Sequence, residues 1–405
     1  TMQSQLLLIL HKAYIKALKV AAAVVPIPKP TMFMGKDSLK QLCHSVSLLG
    51  VKKVLIVTDE GISASGLLEK LEAELVRAGV ESYVFKDVTP DPTYDQVEKG
   101  LEHYQRERCQ GILALGGGSP IDCGKVIAAR VTNKKSIKRL TGLFKVWRAT
   151  APLFVMPTTS GTGSEVTIAA VVSDPVSHQK TPIMDPKLVP TLVALDPAFS
   201  MGLPPHITAH TGMDALTHAV EAYLSVNATA ETDAYAKAAI TLIHDNLEKA
   251  VIYGQNSAVR QNMSLASYYA GLAFTKASLG YVHAISHTIG AKYGTPHGLA
   301  NAVILPHVLE FSKPAVVNRL ADLADLIHVS ETKTTESMRA QKFIQYVRDL
   351  QVSLNIPANI DALLEEHIPD IAKMALHEAQ WNYPVPKQMN QEQCEVLIGK
   401  ILPSA

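Results

Sequence analysis

The sequence has few cysteines, almost no net charge and no long uncharged apolar run. Its four cysteines are scattered and form no C-x-x-C pair, so reduced thiols in a cytoplasm fit better than a disulfide framework. The formal net charge of +1, without a strongly basic block, argues against nucleic acid or an anionic membrane as a partner. No uncharged apolar run reaches the length of a membrane span. The 405 residues, 47% hydrophobic and 19% charged, therefore predict a cytoplasmic globular protein of two or three domains.

The first 29 residues contain two apolar runs, at 6–10 and 21–25, that would suit a signal peptide. Lys12, Lys16 and Lys19 lie between these runs. Their spacing interrupts the apolar core of a signal peptide and is typical of one side of an amphipathic helix. We therefore predict an N-terminal helical extension over residues 1–29, packed on the first domain or on a second subunit.

Short β-branched runs alternate with helical stretches from about residue 50 to 200. The pattern predicts strands at 53–58, 82–85 and 111–115, and helices at 67–78 and 93–108. Such an alternation is typical of a parallel sheet covered by helices on both faces. We expect residues 30–200 to form an α/β domain.

Strand signals fade after about residue 200, and Pro204-Pro205 is a candidate boundary. We expect residues 201–405 to form an all-helical domain, with a cleft between the two domains. Its periodicity predicts helices at 204–225, 230–251, 259–275, 281–293, 314–327, 336–354 and 360–376.

A run of three glycines, Gly116-Gly117-Gly118, separates a predicted strand from a predicted helix. Glycines let the backbone approach a phosphate closely, and a helix N-terminus favours an anion. Ser119 is expected to cap the helix, and Pro120 suits its first turn. A tight turn needs fewer glycines, so phosphate binding is favoured over a turn without a ligand.

The sequence has no G-x-G-x-x-G fingerprint followed by an acidic residue. Asp59 instead ends the predicted strand 53–58, where it could accept hydrogen bonds from a ribose diol and repel a 2′-phosphate. The alternative is that Asp59 only caps a helix. A second loop of small polar residues, 156–167, also follows an apolar strand and could line a cofactor.

Five residues could contribute to a metal site: Asp214, His218, His283, His287 and His297. Asp214 and His218 stand four residues apart, so a helix places them on one face. Imidazoles with one carboxylate suit Fe²⁺, Zn²⁺, Ni²⁺ or Mn²⁺ better than Ca²⁺ or Mg²⁺. Spacing alone does not decide whether His287 or His297 joins His283.

Together these segments resemble the iron-containing (group III) alcohol dehydrogenase family, from about Pro30 to the C-terminus. The resemblance implies a dehydroquinate-synthase-like fold, with an N-terminal dinucleotide-binding domain and a C-terminal helical metal-binding domain. It rests on four motifs, which span residues 116–122, 157–165, 212–221 and 283–298.

The resemblance implies a role for each of these residues. The metal ligands would be Asp214, His218, His283 and His297. His287 would be a non-ligand histidine beside the nicotinamide and the substrate. The cofactor-binding residues would be Asp59, Gly117, Gly118, Ser119, Asp122, Thr158, Thr159, Thr162, Thr167 and Lys180.

The implied function is NAD-dependent, divalent-metal-dependent alcohol dehydrogenation, with hydride transfer between a small alcohol and its aldehyde or ketone. Iron is the favoured metal, with zinc or nickel as alternatives, and a homodimer is expected. Two other functions compete, namely a dehydroquinate-synthase-like lyase and a non-catalytic NAD- or metal-binding protein. The region 204–297 has few of the basic residues that the lyase would require.

Two positions depart from the family pattern. Lys276 stands where relatives usually carry Asn, and Thr288 replaces a common Pro. A cation at position 276 could favour an acidic substrate, although a solvated surface lysine explains it more simply.

Overall fold

The computed structural model describes residues 26–176, 180–330 and 334–403. The predicted helical extension lies outside these residues as far as residue 25. The chain divides into two compact units. The first comprises Ile27–Leu203 and Tyr253–Gly271, and the second comprises Pro204–Ile252 and the chain from Leu272 onward. The domain ranges predicted from the sequence stay predictions.

A six-stranded parallel sheet lies at the centre of the first unit. The spatial order of its strands is β1-β9-β6-β4-β2-β3. The strands are β1 (Thr31–Met34), β2 (Lys53–Val57), β3 (Glu81–Phe85), β4 (Gly111–Gly116), β6 (Leu153–Pro157) and β9 (Leu192–Leu195). Strands β4 and β6 are buried along their whole length, as expected for a sheet covered on both faces. The three strands predicted from the sequence are confirmed.

Helices of the first unit connect these strands. They are α1 (Ser38–Leu48), α2 (Glu60–Ala64), α3 (Leu67–Arg77), α4 (Tyr94–Arg106), α5 (Gly118–Thr132) and α6 (Ile137–Leu140). The predictions of α3 and α4 are confirmed. Thr93 begins α4 with a capping box, in which its side chain and that of Gln96 satisfy each other's backbone N–H groups. Leu42 of α1 and Leu71 of α3 are fully buried in an apolar core with Ile56 and Leu113 of the sheet.

A small second sheet contains β5 (Gly142–Leu143), β7 (Ala169–Ser173) and β8 (Lys180–Met184). Strands β7 and β8 are antiparallel. Sequence reasoning missed this sheet because its strands are short and contain Gly142 and Pro182, which interrupt a strand pattern.

Long helices form the second unit. They are α7 (Pro205–Leu224), α8 (Ala230–Ile252), α10 (Tyr281–Tyr293), α11 (His297–Leu326), α12 (Glu336–Ser353), α13 (Ile368–Asn382) and α14 (Gln391–Gly399). Helix α9 (Ser257–Ala277) supplies its first residues to the first unit and its last to the second. The predictions of α7, α8, α9, α10 and α12 are confirmed.

Two helix predictions are wrong in extent. The helix predicted at 360–376 begins only at Ile368, and Pro369 occupies its first turn. The helix predicted at 314–327 is the last part of α11, which begins at His297. Pro306 and Pro314 lie inside α11, and non-helical dihedrals at Val316 kink it. Internal prolines normally end a helix, so the sequence pattern concealed its first half.

Candidate functional site

Four side chains of the second unit converge on one point. Asp214 and His218 lie one turn apart on α7, His283 lies on α10, and His297 is the first residue of α11. One ligand atom from each lies within 4.8 Å of those of the other three. The structure thus brings together the four residues that the family resemblance implies as ligands.

The distances within this cluster suit a single ion. Oδ1 of Asp214 lies 3.5 Å from Nε2 of His297, 3.8 Å from that of His218 and 3.9 Å from that of His283. A tetrahedral site with bonds of about 2.1 Å has edges of about 3.4 Å. The three distances from the carboxylate oxygen are about 0.1–0.5 Å longer than such an edge, and three nitrogens with one carboxylate oxygen are a donor set that suits a divalent transition metal.

Burial differs among the four residues. Asp214, His218 and His283 are buried, whereas the side chain of His297 is 35% exposed, so the cluster is open on that side. Burial, and next the neighbouring His218, hold the pKa of His283 well below its ordinary value. His283 is therefore neutral, which is the form that binds a metal.

Aromatic packing fixes the ring of His218. It stacks on Phe274 with ring centroids 4.4 Å apart, and on His283 with centroids 4.6 Å apart. A ring held on both faces has little freedom to rotate, which keeps its Nε2 directed at the cluster.

Asn301 is a polar neighbour of the cluster that sequence reasoning missed. Its Nδ2 donates to Oδ1 of Asp214 at 2.8 Å and lies 3.2 and 3.1 Å from Nε2 of His283 and His297. Asn301 follows His297 by four residues on α11, so the helical spacing rule that paired Asp214 with His218 could have found it.

His287 lies beside the cluster and has its own partners. Its ring stacks on that of His297 with centroids 5.3 Å apart, and its Nδ1 lies 2.7 Å from Oε1 of Glu378. The hydroxyl of Tyr383 donates to the same carboxylate oxygen at 2.6 Å. Burial, and next the charge of Glu378, raise the pKa of Tyr383 well above its ordinary value, so this hydroxyl keeps its proton. Sequence reasoning missed Glu378 because it lies 91 residues away.

Three of the predicted cofactor segments lie at one edge of the six-stranded sheet. Asp59 follows β2, the glycine turn follows β4, and Thr158 follows β6. These strands are neighbours, and the carboxyl ends of parallel strands meet at the same edge. Ligands of open α/β sheets bind at this edge.

The glycine turn packs against the second polar loop. A Cβ atom at Gly117 would lie 3.2 Å from Oγ1 of Thr159, and one at Gly118 would lie 2.8 Å from Cγ2 of Thr162. The two glycines therefore allow this close approach, and a side chain at position 118 would force Thr162 to shift. Helix α5 begins at Gly118 with Gly117 as its N-cap. The expectation that Ser119 caps this helix is wrong, because Ser119 is already inside its first turn.

Asp59 caps α2, since its Oδ1 accepts the N–H of Ile62 at 2.8 Å. A capping carboxylate keeps further lone pairs, so this contact leaves its predicted role toward a ribose untouched. Lys180 forms an ion pair with Asp91 at 2.6 Å, and Lys276 pairs with Glu231 at 2.7 Å. The pairing of Lys276 agrees with the simpler, surface interpretation.

Asp122 and Thr167 take part in hydrogen bonds inside the first unit. Asp122 accepts the hydroxyl of Ser164 at 2.5 Å and the N–H of Val171 at 2.9 Å. Thr167 accepts from Nζ of the fully buried Lys125 at 3.0 Å. Both residues therefore tie α5 to the loop that follows β6. Sequence reasoning missed Lys125, which looks like an ordinary helical lysine.

Comparisons with known proteins support a single family. The profile described as "Iron-containing alcohol dehydrogenase" matches residues 29–197. The profile described as "Fe-containing alcohol dehydrogenase family, C-terminal" matches residues 208–402. Together they cover both units.

Named relatives are dehydrogenases. The chain is 39% identical over 365 residues to a 1,3-propanediol dehydrogenase of Klebsiella pneumoniae, covering 89% of this chain and 94% of that one. It is 35% identical to an NAD-dependent methanol dehydrogenase of Bacillus methanolicus, covering 86% and 92%. A crystal structure of a 1,3-propanediol oxidoreductase superposes with a TM-score of 0.90 at 36% identity, covering 93% and 100%.

The fold, the cluster and these relatives define an alcohol oxidoreductase. The chain belongs to the iron-containing alcohol dehydrogenase family. The resemblance and the fold class inferred from the sequence are confirmed, and the lyase alternative is not favoured. Among the described residues, no helix is both long enough and apolar enough to cross a membrane.

Proposed function

We propose that this protein interconverts small alcohols and their aldehydes or ketones, using NAD and one divalent metal, with Fe²⁺ favoured over Zn²⁺ and Ni²⁺. The observation that carries the proposal is the convergence of one buried carboxylate, two buried imidazoles and the partly exposed imidazole of His297. The relatives named for 1,3-propanediol and methanol support small alcohols as substrates, and the second also supports NAD.

Asp214, His218, His283 and His297 would hold the metal. When bound, the metal would supply a Lewis acid for the substrate oxygen, and NAD would carry the hydride chemistry. Asp214 contributes the one negative charge of the ligand set. The imidazoles are neutral, so half of a divalent ion's positive charge would remain uncompensated. The open side at His297 would admit the substrate.

His287 is the residue that we assign to proton exchange. Its Nδ1 faces the carboxylate of Glu378, so Nε2 is the ring atom left for exchange with substrate or solvent. The side chain is 31% exposed, which gives it contact with water. Glu378 would hold the ring in one tautomer, and Tyr383 would hold Glu378.

Gly117, Gly118 and Ser119 would bind the pyrophosphate of NAD at the N-terminus of α5. Asp59 would accept hydrogen bonds from the adenosine ribose. Thr158, Thr159 and Thr162 extend the same edge of the sheet. We also propose that Asp122, Thr167 and Lys180 line the cofactor, alongside their contacts within the unit.

The test is to purify the protein without chelator, measure its metal content and follow NADH formation with a panel of small alcohols. We expect about one equivalent of metal per chain, activity that a chelator removes and activity that Fe²⁺ restores. Full activity in metal-free protein, or no NADH from any alcohol with metal bound, would contradict the proposal. A cytoplasmic homodimer remains our expectation, and light scattering tests the dimer.

A further inference from the structure

Glu221 lies behind His283, on the side of the ring away from the ligand cluster. Its Oε2 lies 2.6 Å from Nδ1 of His283, whose Nε2 faces Asp214. The side chains of Glu221 and His283 are 6% and 1% exposed, so water does not compete for this contact. The carboxylate and the cluster therefore use opposite nitrogens of one ring.

Two further donors hold the same carboxylate. The backbone N–H of Gly280 donates to Oε2 at 3.0 Å, and that of Val282 donates to Oε1 at 2.7 Å. Both groups belong to the N-terminus of α10, the helix that carries His283. Backbone N–H groups are always donors, so the carboxylate must accept here. Glu221 thus binds the helix and the ring as one unit.

Gly280 leaves the space that Glu221 occupies. A Cβ atom at position 280 would lie 2.9 Å from Oε1 of Glu221, closer than real Cβ contacts come. The backbone of Gly280 has φ −149°, which any residue adopts, so its conformation does not require glycine. Glycine is therefore explained at position 280 by the close approach of the Glu221 carboxylate.

We propose that Glu221 is a positioning residue, which locks His283 in the tautomer with hydrogen on Nδ1 and so directs the lone pair of Nε2 at the metal site. The inference rests on the proposed metal centre. An imidazole whose second nitrogen donates to a carboxylate is oriented and is also a more basic ligand. Glu221 follows His218 by three residues on α7, so one helix supplies two ligands and the support of a third.

A purely structural cap is the competing explanation, because Glu221 also satisfies the N-terminus of α10. The substitution Glu221→Gln separates the two roles. Its side chain keeps the shape, but its NH₂ group must face either the N–H of Val282 or, in the place of Oε2, both the N–H of Gly280 and the ring of His283. In the second orientation the amide donates to Nδ1, which moves the ring hydrogen to Nε2 and removes the lone pair that a metal needs.

The experiment titrates Co²⁺ into chelator-treated protein and records affinity, the visible Co²⁺ spectrum and thermal stability. Changes around a metal-binding histidine typically weaken affinity about 10- to 100-fold. We expect a loss of that size in Glu221→Gln, together with an altered spectrum. The control is Thr288→Val on the same helix, because Thr288 is buried and its hydroxyl donates only to the carbonyl of Ala284 at 3.1 Å. This control should lose stability and keep wild-type affinity.

Gly280→Ala provides a second variant, which keeps the charge of Glu221 but displaces its carboxylate. Its Co²⁺ affinity should lie between those of the wild type and Glu221→Gln, and it carries the test if Glu221→Gln does not fold. If Glu221→Gln or Gly280→Ala is less stable but keeps the Co²⁺ affinity and spectrum of the wild type, Glu221 acts only as a helix cap. That result would overturn the inference. Failure of the wild type to bind any metal would instead remove the proposed metal centre itself.

Discussion

At the scale of single residues, His287 and His297 look alike but occupy different places. Nε2 of His297 lies in the cluster, whereas His287 stacks on it from outside. Loss of a ligand should cost more affinity than the 10- to 100-fold typical of a neighbour. We expect His297→Ala to lose stoichiometric metal and activity together. His287→Ala should keep its metal and slow turnover about 100-fold or more, as expected for loss of a proton-transfer group.

Elemental analysis and steady-state kinetics on the two variants decide between these assignments. The reverse pattern, with His287→Ala empty and His297→Ala filled, would mean that the four converging side chains are not the ligand set.

Asp59 is expected to select NAD over NADP. Its carboxylate would repel a 2′-phosphate, and it also caps α2. Asp59→Asn keeps a capping side chain but removes the charge. Asp59→Gly removes both the cap and the charge, and it lowers the free energy of unfolding by only about a few tenths of a kcal/mol. Both variants should gain about tenfold or more in kcat/KM for NADP, equivalent to about 1.4 kcal/mol. A wild-type enzyme that used NAD and NADP equally well would show that Asp59 does not make this selection.

At the scale of elements, the turn between β4 and α5 depends on the absence of a side chain. Gly118→Ala would bring a methyl group to 2.8 Å from Cγ2 of Thr162 and push the polar loop away. Overpacking of this kind costs about 1–3 kcal/mol, so we expect NAD binding to weaken about tenfold in a calorimetric titration.

Two variants control this prediction. Gly202→Ala adds a methyl group with nothing within 4 Å and should leave NAD affinity unchanged. Thr162→Ser removes Cγ2 but keeps the hydroxyl, so the double variant Gly118→Ala/Thr162→Ser should recover most of the loss. No recovery would show that the methyl group acts through something other than Thr162.

Elements were predictable from the sequence where local signals agree with the tertiary structure. Helix α4 has a capping box and a clear apolar face, and its prediction was right. Helix α11 carries two prolines and kinks at Val316 instead of ending, so its first half was missed. This matters for the site, because His297 begins a helix and does not lie in a loop.

At the scale of the whole molecule, the candidate metal ligands could be predicted from the sequence, but the residues that hold them and their neighbour His287 in place could not. Asp214 and His218 are four residues apart, and periodicity alone places them together. The partners Glu221–His283 and His287–Glu378 are 62 and 91 residues apart, so only the packing of α7, α10 and α13 brings them into contact. The family motifs were enough to predict the four ligands. The contacts of Glu221 and Glu378 became visible only in the three-dimensional structure.

Glu165 is a buried carboxyl group of the first unit, and its titration should make the stability of the protein depend on pH. Burial raises the pKa of Glu165 from 4.5 to about 7, although its backbone hydrogen bond and Lys125 act the other way. Burial lowers the pKa of Lys125 to about 8, so this lysine stays charged below that pH. Between pH 4.5 and 7 the folded protein therefore holds a proton on Glu165 that the unfolded chain releases.

The sign of the effect follows from this difference. A group whose pKa is raised by folding stabilises the protein below its unfolded pKa and loses that contribution as pH rises through its folded pKa. We expect the thermal midpoint of the wild type to fall between pH 5 and 7 relative to that of Glu165→Gln, whose amide does not titrate. Comparing the two proteins by circular dichroism at each pH cancels the contribution of groups that do not interact with Glu165. Parallel midpoint curves for the two would show that Glu165 is already ionised in the folded protein, with Lys125 outweighing burial.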